Sequence, residues 1–409
     1  MGEQSPSADS ASQDRTIFPI PRNQIFGIPA PYVERPQVEP IGRVPIYEGE
    51  IWMFTRLADA REALESQDVS ADRYDPRFPR IRSYGRSSQH PGERSMMLLD
   101  GPEHVAYRRM VSGEFSFKRV QAMVPQLESS VDKVIDEMLE HGSPVDLVEH
   151  VSLRVSSSVI CELLGVPYAD RDHFTSLAKQ LFTRGLPEDE FDRARNGLVE
   201  YIDAIVHAKA DADPGEGLIA QLYHERVRTG ELSEVRLASF SMLMLLAGFE
   251  TTANMISLGV LTFLLRPDLR RQVEDDPQLM PAAVLELLRY HAILDDVTVR
   301  MVARDTVIAG QQLRTGDGVF ASVVAANFDT HAYENPFDID FHRTNKEHLA
   351  FGAGPHQCLG QNLARAELAI TYRRIFERIP SLRLAVPPEE VRLKPDSFTH
   401  GVSLMPVAW

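Results

Sequence analysis

The sequence predicts a mainly α-helical fold with small β-sheets. Apolar residues recur at helical spacing along most of the chain between about residues 103 and 290, and again over 361–378. Short alternating runs, typical of strands, are confined to 41–51, 297–309, 318–322 and 390–407. Neither an internal repeat nor a Pro/Gly-rich linker divides the pattern. We therefore expect a single domain over 41–409, preceded by a largely disordered or extended tail over 1–40.

The helical spacing predicts ten helices before the last one. Their expected ranges are 57–66, 103–114, 119–140, 147–164, 170–183, 188–210, 215–229, 233–266, 268–275 and 280–290. A loop is expected over 73–96, which is rich in proline and glycine. The helix at 233–266 is apolar enough to span a membrane, with Glu250 as its only charge between Leu237 and Leu265. Its several Ser, Thr and Asn residues favour a core helix that is buried on all sides.

Composition limits the function classes. The chain has 409 residues, 43% of them hydrophobic, and a net charge of −16, which argues against a nucleic-acid partner. Two cysteines provide no disulfide framework and suit a reducing compartment. The start of the chain, 1–14, has neither the basic and apolar pattern of a signal peptide nor an anchor helix. These features predict a cytoplasmic protein without membrane attachment.

Residues 351–360 read FGAGPHQCLG and carry the strongest chemical signal. A thiolate is a soft, electron-donating metal ligand, and Cys358 precedes a predicted helix whose dipole favours a negative sulfur. Gly352, Gly354 and Gly360 are expected to remove side chains that would block a flat macrocycle. A structural zinc site would need about four ligands, usually in close pairs. The only other cysteine, Cys161, stands alone in an apolar helical pattern.

This motif resembles the cysteine-ligand segment of the soluble bacterial, actinomycete-type cytochrome P450 family, and the resemblance extends over about residues 40–409. It implies a triangular helical prism that binds haem b between the long central helix and the cysteine-ligand helix. Cys358 would be the axial ligand of the haem iron. Ala247, Phe351, Gly352 and Gly360 would contact the cofactor.

The central helix contains a second matching motif, AGFETT at 247–252. A threonine hydroxyl in mid-helix can bond the carbonyl four residues earlier or be diverted to a ligand. By resemblance, Thr251 would hold activated dioxygen and Glu250 would relay protons from solvent. The small residues Ala247 and Gly248 are expected to let dioxygen and substrate approach the helix backbone. The alternative is a polar pair that is merely hydrogen-bonded within a buried helix.

Two further groups of residues support the cofactor assignment. Glu286 and Arg289 are three residues apart on one helical face, and the resemblance implies a buried structural network with Arg343. Basic groups should surround the haem propionates, because arginine and histidine pair with carboxylates. The residues that match the family's propionate ligands are His104, Arg108, Arg300 and His356.

The resemblance places a substrate pocket along five segments, 84–97, 174–186, 242–250, 293–297 and 398–402. The apolar residues expected to line it are Met242, Leu246, Phe249, Ile293, Leu294, Val297 and Val402. Two polar features point in opposite directions. The arginines Arg73, Arg77, Arg80, Arg82, Arg86 and Arg94 would favour an anionic substrate, whereas Asp295 and Asp296 would favour an amine. Solvated loop charge is the alternative explanation of both.

The predicted function is a haem-thiolate monooxygenase that uses dioxygen as co-substrate and inserts one oxygen atom into a C–H or C=C bond of a hydrophobic, natural-product-like molecule. Its electrons would come from NAD(P)H through a ferredoxin, and the protein is expected to be a monomer. A basic docking face is predicted from Arg109, Lys118, Arg119, Lys346 and Arg365, against the alternative of scattered solvated charges. The alternative functions are phenol coupling, peroxide-driven oxidation, and a haem gas sensor or carrier.

Overall fold

The computed structural model describes residues 16–81 and 94–409. Its helices are α1 Ala30–Val38, α2 Leu57–Glu65, α3 Gly101–Ser112, α4 Phe117–His141, α5 Leu153–Leu164, α6 Arg171–Leu181, α7 Glu188–Ala208, α8 Leu218–Leu222, α9 Glu234–Leu265, α10 Pro267–Asp275, α11 Met280–His291, α12 Val323–Asn327 and α13 Gln361–Arg378. Its strands are β1 Ile41–Pro45, β2 Glu50–Phe54, β3 Val69–Ser70, β4 Val145–Asp146, β5 Val299–Val302, β6 Thr306–Ile308, β7 Gln311–Leu313, β8 Gly318–Ala321, β9 Arg383–Leu384, β10 Arg392–Leu393, β11 Val402–Leu404 and β12 Pro406–Ala408. The predicted class, mainly helical with small sheets, is confirmed.

Helix α1 lies inside the segment predicted to be a disordered or extended tail, so that prediction is wrong for Ala30–Val38. Tyr32 explains the difference, because it is only 1% exposed and packs edge-on against Phe18 at 5.4 Å. Its hydroxyl accepts a hydrogen bond from the backbone of Ile20 and also bonds Asp295. These contacts come from distant parts of the chain. Residues 1–15 lie outside the described residues, and the single-domain expectation stays a prediction.

Helix α12 was also missed, because five residues are too few for a periodic signal. It follows strand β8 directly. Ser322 caps it, and its hydroxyl accepts from the N–H of Ala325 at 3.2 Å. The helix ends at Asn327, whose side chain accepts a hydrogen bond from the N–H of Leu349, just before the loop that carries Cys358.

Helix α9 is the long central helix of the structure, and it is buried among neighbouring helices as the sequence predicts. It is long and apolar enough to cross a membrane by composition, yet 72% of its most apolar window is buried inside the protein. Its hydroxyl groups bond carbonyls one turn earlier, from Ser241 to Leu237 at 2.8 Å and from Thr262 to Leu258 at 2.8 Å. The polar residues of α9 are therefore compatible with a buried core helix.

Helix α13 crosses α9 at a glycine. A Cβ on Gly259 would lie 2.1 Å from the hydroxyl oxygen of Tyr372, so only glycine lets the two helices approach this closely. The Tyr372 hydroxyl donates to the carbonyl of Met255 at 2.5 Å. This contact sets the position of α13, which begins just after Cys358, relative to the central helix.

A five-stranded sheet has the order β1-β2-β8-β5-β3. It packs with helices α2 and α12 in a hydrophobic cluster that is separate from the core formed by most of the other helices. Strand β5 is paired antiparallel with both β8 and β3, so it lies inside the sheet. Within β5, Arg300 is opposite Val319 of β8. The sheet thereby places one predicted propionate ligand on a rigid strand.

Candidate active site

Cys358 lies in a loop, three residues before the first residue of α13. The N–H of Cys358 donates to the carbonyl of Phe351 at 2.8 Å and closes the loop. Gly352 and Gly354 have φ values of +65° and +68°, where other residues are strained. A Cβ on Gly354 would lie 2.4 Å from the carbonyl oxygen of Leu64 in α2. Gly354 therefore permits packing against α2, and its predicted role in clearing space for a macrocycle is wrong.

The surroundings of the Cys358 thiol fit a metal-bound sulfur. The side chain is not covered by other side chains, although burial raises the pKa of its thiol. Both observations follow if the sulfur faces a cavity within the protein. The N–H of Gly360 and the charges of Arg108 and Arg365 favour the thiolate, but burial has the larger effect. Such a thiol keeps its proton near neutral pH unless a cation replaces it.

The zinc alternative finds no support in the structure. Across 16–81 and 94–409, no three His, Cys, Asp or Glu side chains come close enough together to hold a metal ion. The other cysteine, Cys161, is 1% exposed, and burial raises the pKa of its thiol to about 12. Cys161 is thus an inert core residue, which leaves Cys358 as the cysteine available for the predicted role of sulfur ligand.

Three of the four predicted propionate ligands converge beside the cysteine loop. The rings of His104 and His356 lie 4.3 Å apart, and His356 Nε2 is 3.1 Å from the carboxylate of Asp100. Arg108 donates to the carbonyl of Gln357 at 2.5 Å. Burial, aided by the nearby charges of His356 and Arg108, lowers the pKa of His104 to about 4. The imidazole of His104 is therefore neutral at physiological pH.

Arg300 joins this group from strand β5. It is 8% exposed, and its Nη1 donates to the carbonyls of Val297 at 3.0 Å and Val299 at 2.8 Å. Burial lowers the pKa of Arg300 to about 10, and the charge of Arg73 acts in the same direction. The guanidinium groups of Arg300 and Arg73 therefore lie near each other.

These residues fit an iron porphyrin. The Cys358 sulfur is available as an axial ligand. The guanidinium groups of Arg108 and Arg300 and the imidazoles of His104 and His356 are available for a pair of carboxylates. A Cβ added to Gly352 or Gly360 would meet nothing within 4 Å, which agrees with a flat group lying against the loop. Phe351, beside them, packs under the guanidinium of Arg365 at 5.2 Å.

In the middle of α9, one side of the helix is accessible although the helix lies within the protein. Ala247 is exposed and Thr251 is half-buried in an otherwise buried stretch of helix. The Thr251 hydroxyl donates to the Ala247 carbonyl at 2.6 Å. Gly248 does not share this role, because a Cβ there would lie 2.9 Å from the side chain of Ile160 in α5. Gly248 therefore allows α9 and α5 to pack closely, instead of letting dioxygen or substrate approach the helix backbone as predicted.

Glu250 is only 2% exposed and turns away from that side of the helix. Its Oε1 accepts from Lys394 Nζ at 2.6 Å and from Asn254 Nδ2 at 3.3 Å. The other oxygen, Oε2, has no hydrogen-bond partner among residues 16–81 and 94–409. The carboxylate lines a cavity of about 630 Å³ between α5, α6, α9 and β10. Lys394 carries no local signal in the sequence, because it is 144 residues from its partner.

The predicted structural network is present. Glu286 accepts from Nε and Nη2 of Arg289, both at 2.8 Å, and from Nε of Arg343 at 3.1 Å. All three side chains are at most 7% exposed. The carboxylate therefore balances two buried guanidinium groups.

This network reaches the cysteine loop through one asparagine. Arg289 donates to the carbonyl of Asn327 at 2.6 Å, and the Asn327 amide returns a bond to the carbonyl of Arg289 at 3.1 Å. Asn327 Oδ1 accepts from the N–H of Leu349 at 2.8 Å. Leu349 lies two residues before Phe351, whose carbonyl holds the N–H of Cys358. The network thus braces the loop from inside.

Five of the seven predicted pocket residues are accessible in the structure and two are not. The half-buried residues are Met242, Leu246, Ile293, Leu294 and Val297. Phe249 and Val402 are fully buried. Phe249 packs edge-on against Phe174 of α6 at 6.1 Å, and Val402 lies in β11. These two residues belong to the core instead of the pocket surface.

Three of the four arginines that the structure describes in the 73–94 loop pair with carboxylates. Arg77 pairs with Asp75 at 2.6 Å, and the two other pairs, at 2.9 and 3.0 Å, are Arg80–Glu48 and Arg94–Asp72. Arg82 and Arg86 lie outside the described residues, as does most of the predicted pocket segment 84–97. Paired loop charge therefore explains Arg77, Arg80 and Arg94.

Asp295 does not face a ligand. Its carboxylate accepts from the Ser322 hydroxyl at 3.1 Å and from the Val324 N–H at 3.1 Å, at the start of α12. Asp296 is 1% exposed. The prediction that Asp295 selects an amine substrate is therefore not supported, because the carboxylate is used within the fold.

Glu367, one turn and a half into α13, predicts a pH effect on stability. It is 3% exposed, and burial raises the pKa of its carboxyl to about 8. The folded protein keeps this proton above the pH at which the unfolded chain releases it. Stability from this group therefore decreases as pH rises from about 4.5 to about 8, by up to about 4 kcal/mol. We expect Glu367→Gln to remove this loss, measured as the free energy of unfolding in urea at pH 5 and pH 8.

Glu140→Gln, which replaces an exposed carboxylate of α4, is the control and should keep the pH dependence of the parent protein. Parallel stability curves for the parent and Glu367→Gln between pH 5 and pH 8 would contradict the prediction.

An uncovered cysteine thiol before a helix, convergent basic groups and a long central helix are features of the haem-thiolate class of protein. The family model described as Cytochrome P450 matches residues 180–407. Cytochrome P450 105A3 of Streptomyces carbophilus is 40% identical over 400 residues, which cover 97% of each chain. Pentalenic acid synthase of Streptomyces avermitilis is 40% identical over 96% of this chain and 97% of its own. The chain belongs to the cytochrome P450 family and is a cytochrome P450 monooxygenase.

Solved structures agree with this assignment. The mycinamicin VIII C21 methyl hydroxylase of Micromonospora griseorubida, solved with mycinamicin VIII bound, has a TM-score of 0.89 at 37% identity and covers 96% of this chain and all of its own. Cytochrome P450 MoxA of Nonomuraea recticatena has a TM-score of 0.87 at 42% identity, covering 96% and 98%. The predicted cytochrome P450 fold is confirmed, and haem iron and dioxygen follow from the family.

Proposed function

We propose that this enzyme inserts one oxygen atom of dioxygen into a C–H or C=C bond of a hydrophobic, natural-product-like substrate. The observation that carries the proposal is the convergence of His104, Arg108, Arg300 and His356 beside the loop that carries Cys358. Relatives with hydroxylase names support the reaction type. The half-buried apolar residues of α9 and of the 293–297 turn suit a hydrophobic substrate.

The side chains divide the work between cofactor binding and proton supply. A haem bound through Cys358 would supply the iron that activates dioxygen. Arg108, Arg300 and the two imidazoles would hold its carboxylates. The Thr251 hydroxyl, donating to Ala247 at 2.6 Å, can turn to donate to a ligand instead. Its proton would be replaced from the carboxyl of Glu250.

Glu250 is suited to collect that proton from water. Its Oε1 is fixed by Lys394, its Oε2 accepts no hydrogen bond from the described part of the chain, and the residue lines the 630 Å³ cavity. Charged and polar side chains line much of this cavity, which suits water more than an apolar ligand. The carboxylate would thus connect solvent with the interior side of α9.

Electrons would come from NAD(P)H through a ferredoxin, which we propose docks on the exposed basic residues Arg109, Lys118, Arg119 and Lys346. Arg365 does not belong to this face, because it is half-buried over Phe351 and bonds Gln361. We further propose that the protein acts as a cytoplasmic monomer.

The test of the proposed function combines a spectrum with an isotope. The purified ferric protein should show a thiolate-ligated haem, and saturable Soret shifts should identify ligands among hydrophobic natural products. With a ferredoxin, its reductase, NADPH and ¹⁸O₂, the product of such a ligand should carry one ¹⁸O atom. A haem without thiolate ligation, or product oxygen derived from water, would refute the proposal.

Thr251→Ala is expected to leave haem binding unchanged and to divert reducing equivalents. Without the hydroxyl, protons reach the oxygen site less selectively, so most of the NADPH consumed should yield hydrogen peroxide and product formation should fall by about tenfold or more. The measurement is the ratio of product and peroxide to NADPH. Thr251→Ser, which keeps a hydroxyl, should retain most coupling; unchanged coupling in Thr251→Ala would remove this role from Thr251.

A further inference from the structure

The turn between β10 and β11, residues 394–401, lies directly against the central helix α9. A Cβ on Gly401 would lie 2.1 Å from the side-chain oxygen of Asn254, so any other residue here would collide with that amide. The N–H of Lys394 donates to the carbonyl of Gly401 at 3.0 Å and closes the turn. The position of the 394–401 turn therefore decides which of its side chains reach α9.

Two side chains of this turn, Lys394 and Thr399, hold the Glu250 carboxylate together with Asn254. Lys394 Nζ donates to Glu250 Oε1 at 2.6 Å and to Asn254 Oδ1 at 2.8 Å. Asn254 Nδ2 donates to the Thr399 hydroxyl oxygen at 3.0 Å and to Glu250 Oε1 at 3.3 Å. Thr399 is fully buried, and the Lys394 side chain is 15% exposed. The orientation of the carboxylate thus depends on the turn as well as on α9.

The other side of the 394–401 turn is attached to the residues that follow α6. The N–H of Phe398 donates to the carbonyl of Phe182 at 3.0 Å, and the N–H of Arg184 donates to the carbonyl of Asp396 at 2.6 Å. Nε of Arg184 also donates to the carbonyl of Ser397 at 2.8 Å. The guanidinium packs over the ring of Phe398 at 4.9 Å. Arg184 therefore holds this turn by its backbone and by its side chain.

We propose that Arg184 is a positioning residue for proton supply, because it holds the turn that carries Lys394 to Glu250. This inference rests on the proposed monooxygenase function and adds a residue that acts through the turn and not by contact with the carboxylate. Without the Arg184 side chain, the turn is held less firmly and Lys394 orients Glu250 less precisely. Protons would then reach the oxygen site less selectively. Arg184 lies in the predicted pocket segment 174–186, so the same turn joins that segment to the carboxylate.

The first measurement is amide hydrogen exchange of the haem-loaded, full-length protein. Arg184→Met should speed exchange of the amides of 396–400 by about tenfold or more, because the turn loses the guanidinium that ties it to the end of α6. Arg184→Lys, which keeps a donor for the carbonyl of Ser397, should exchange at a rate nearer to that of the parent. Arg193→Met, which removes an exposed arginine of α7, should exchange like the parent.

The second measurement is the ratio of product and peroxide to NADPH in a double-mutant cycle, with nerolidol, testosterone and naringenin as probe substrates. Arg184→Met and Lys394→Met should each lower product per NADPH by about threefold or more and raise peroxide. Because Arg184 acts through Lys394, the double variant should lose no more than Lys394→Met alone. Lys179→Met, which removes an exposed lysine of the same 630 Å³ cavity, should keep the parent ratio.

Three outcomes would overturn the inference while the proposed function stands. In the first, Arg184→Met leaves the exchange of 396–400 unchanged. In the second, Arg184→Met changes the affinity for a probe but not the ratio of product to NADPH. In the third, the losses of Arg184→Met and Lys394→Met add in the double variant, so that the two residues act independently. A parent protein that lacks the thiolate spectrum or oxidises none of the probes would count against the proposed function as well.

Discussion

Cys358→Ser is expected to abolish the thiolate-ligated haem spectrum and nearly all monooxygenase activity. The hydroxyl of serine is a poor ligand for iron and donates far less electron density, so the ferrous–CO complex should lose its red-shifted Soret band. Product formation should fall by about a thousandfold or more, because each tenfold corresponds to only about 1.4 kcal/mol of activation energy. The measurements are the ferrous–CO difference spectrum and product formed per haem.

Cys161→Ala is the matched control, because it removes the other thiol from the core. Its spectrum should equal that of the parent protein, with at most a modest loss of stability. A red-shifted ferrous–CO band in Cys358→Ser, or its loss in Cys161→Ala, would contradict the assignment of the iron ligand.

Glu286→Gln should destabilise the protein by about 3–5 kcal/mol and reduce haem retention. The neutral amide has nearly the same shape as the carboxylate, but it leaves Arg289 and Arg343 buried without a counter-charge. Arg289 also bonds Asn327, which holds the N–H of Leu349 before the cysteine loop. The loss should therefore appear both in the free energy of unfolding and in the haem-to-protein absorbance ratio.

Asp189→Asn provides the comparison for that prediction. It breaks the pair of Asp189 with Arg193, whose atoms are 3.0 Å apart but whose side chains are 76% and 72% exposed. Exposed pairs contribute about 0–1 kcal/mol, so little change is expected. Similar losses in Glu286→Gln and Asp189→Asn would show that burial does not decide the strength of the Glu286 network.

Local patterns predicted the helices well, because helical spacing and helix ends depend on neighbours a few residues apart. Helix α9 and helix α13 were predicted within one or two residues of their observed bounds. Helix α1 was missed because it depends on Tyr32 packing against Phe18 and bonding Asp295. No local signal contains such distant contacts.

The sequence by itself determined the class of chemistry, since Cys358, the Glu250–Thr251 pair and the four basic residues stand at recognisable spacings. Only the tertiary structure decided which neighbouring residues differ in role. Lys394 fixes Glu250 from 144 residues away, Gly354 makes room for α2 instead of a cofactor, and Asp295 caps α12 instead of facing a ligand. Arg77 and Arg300 are the same residue type, but Arg77 pairs with Asp75 at the surface and Arg300 is buried in β5. The physical reason is that burial and charge pairing depend on the path of the whole chain, whereas residue type and spacing are local.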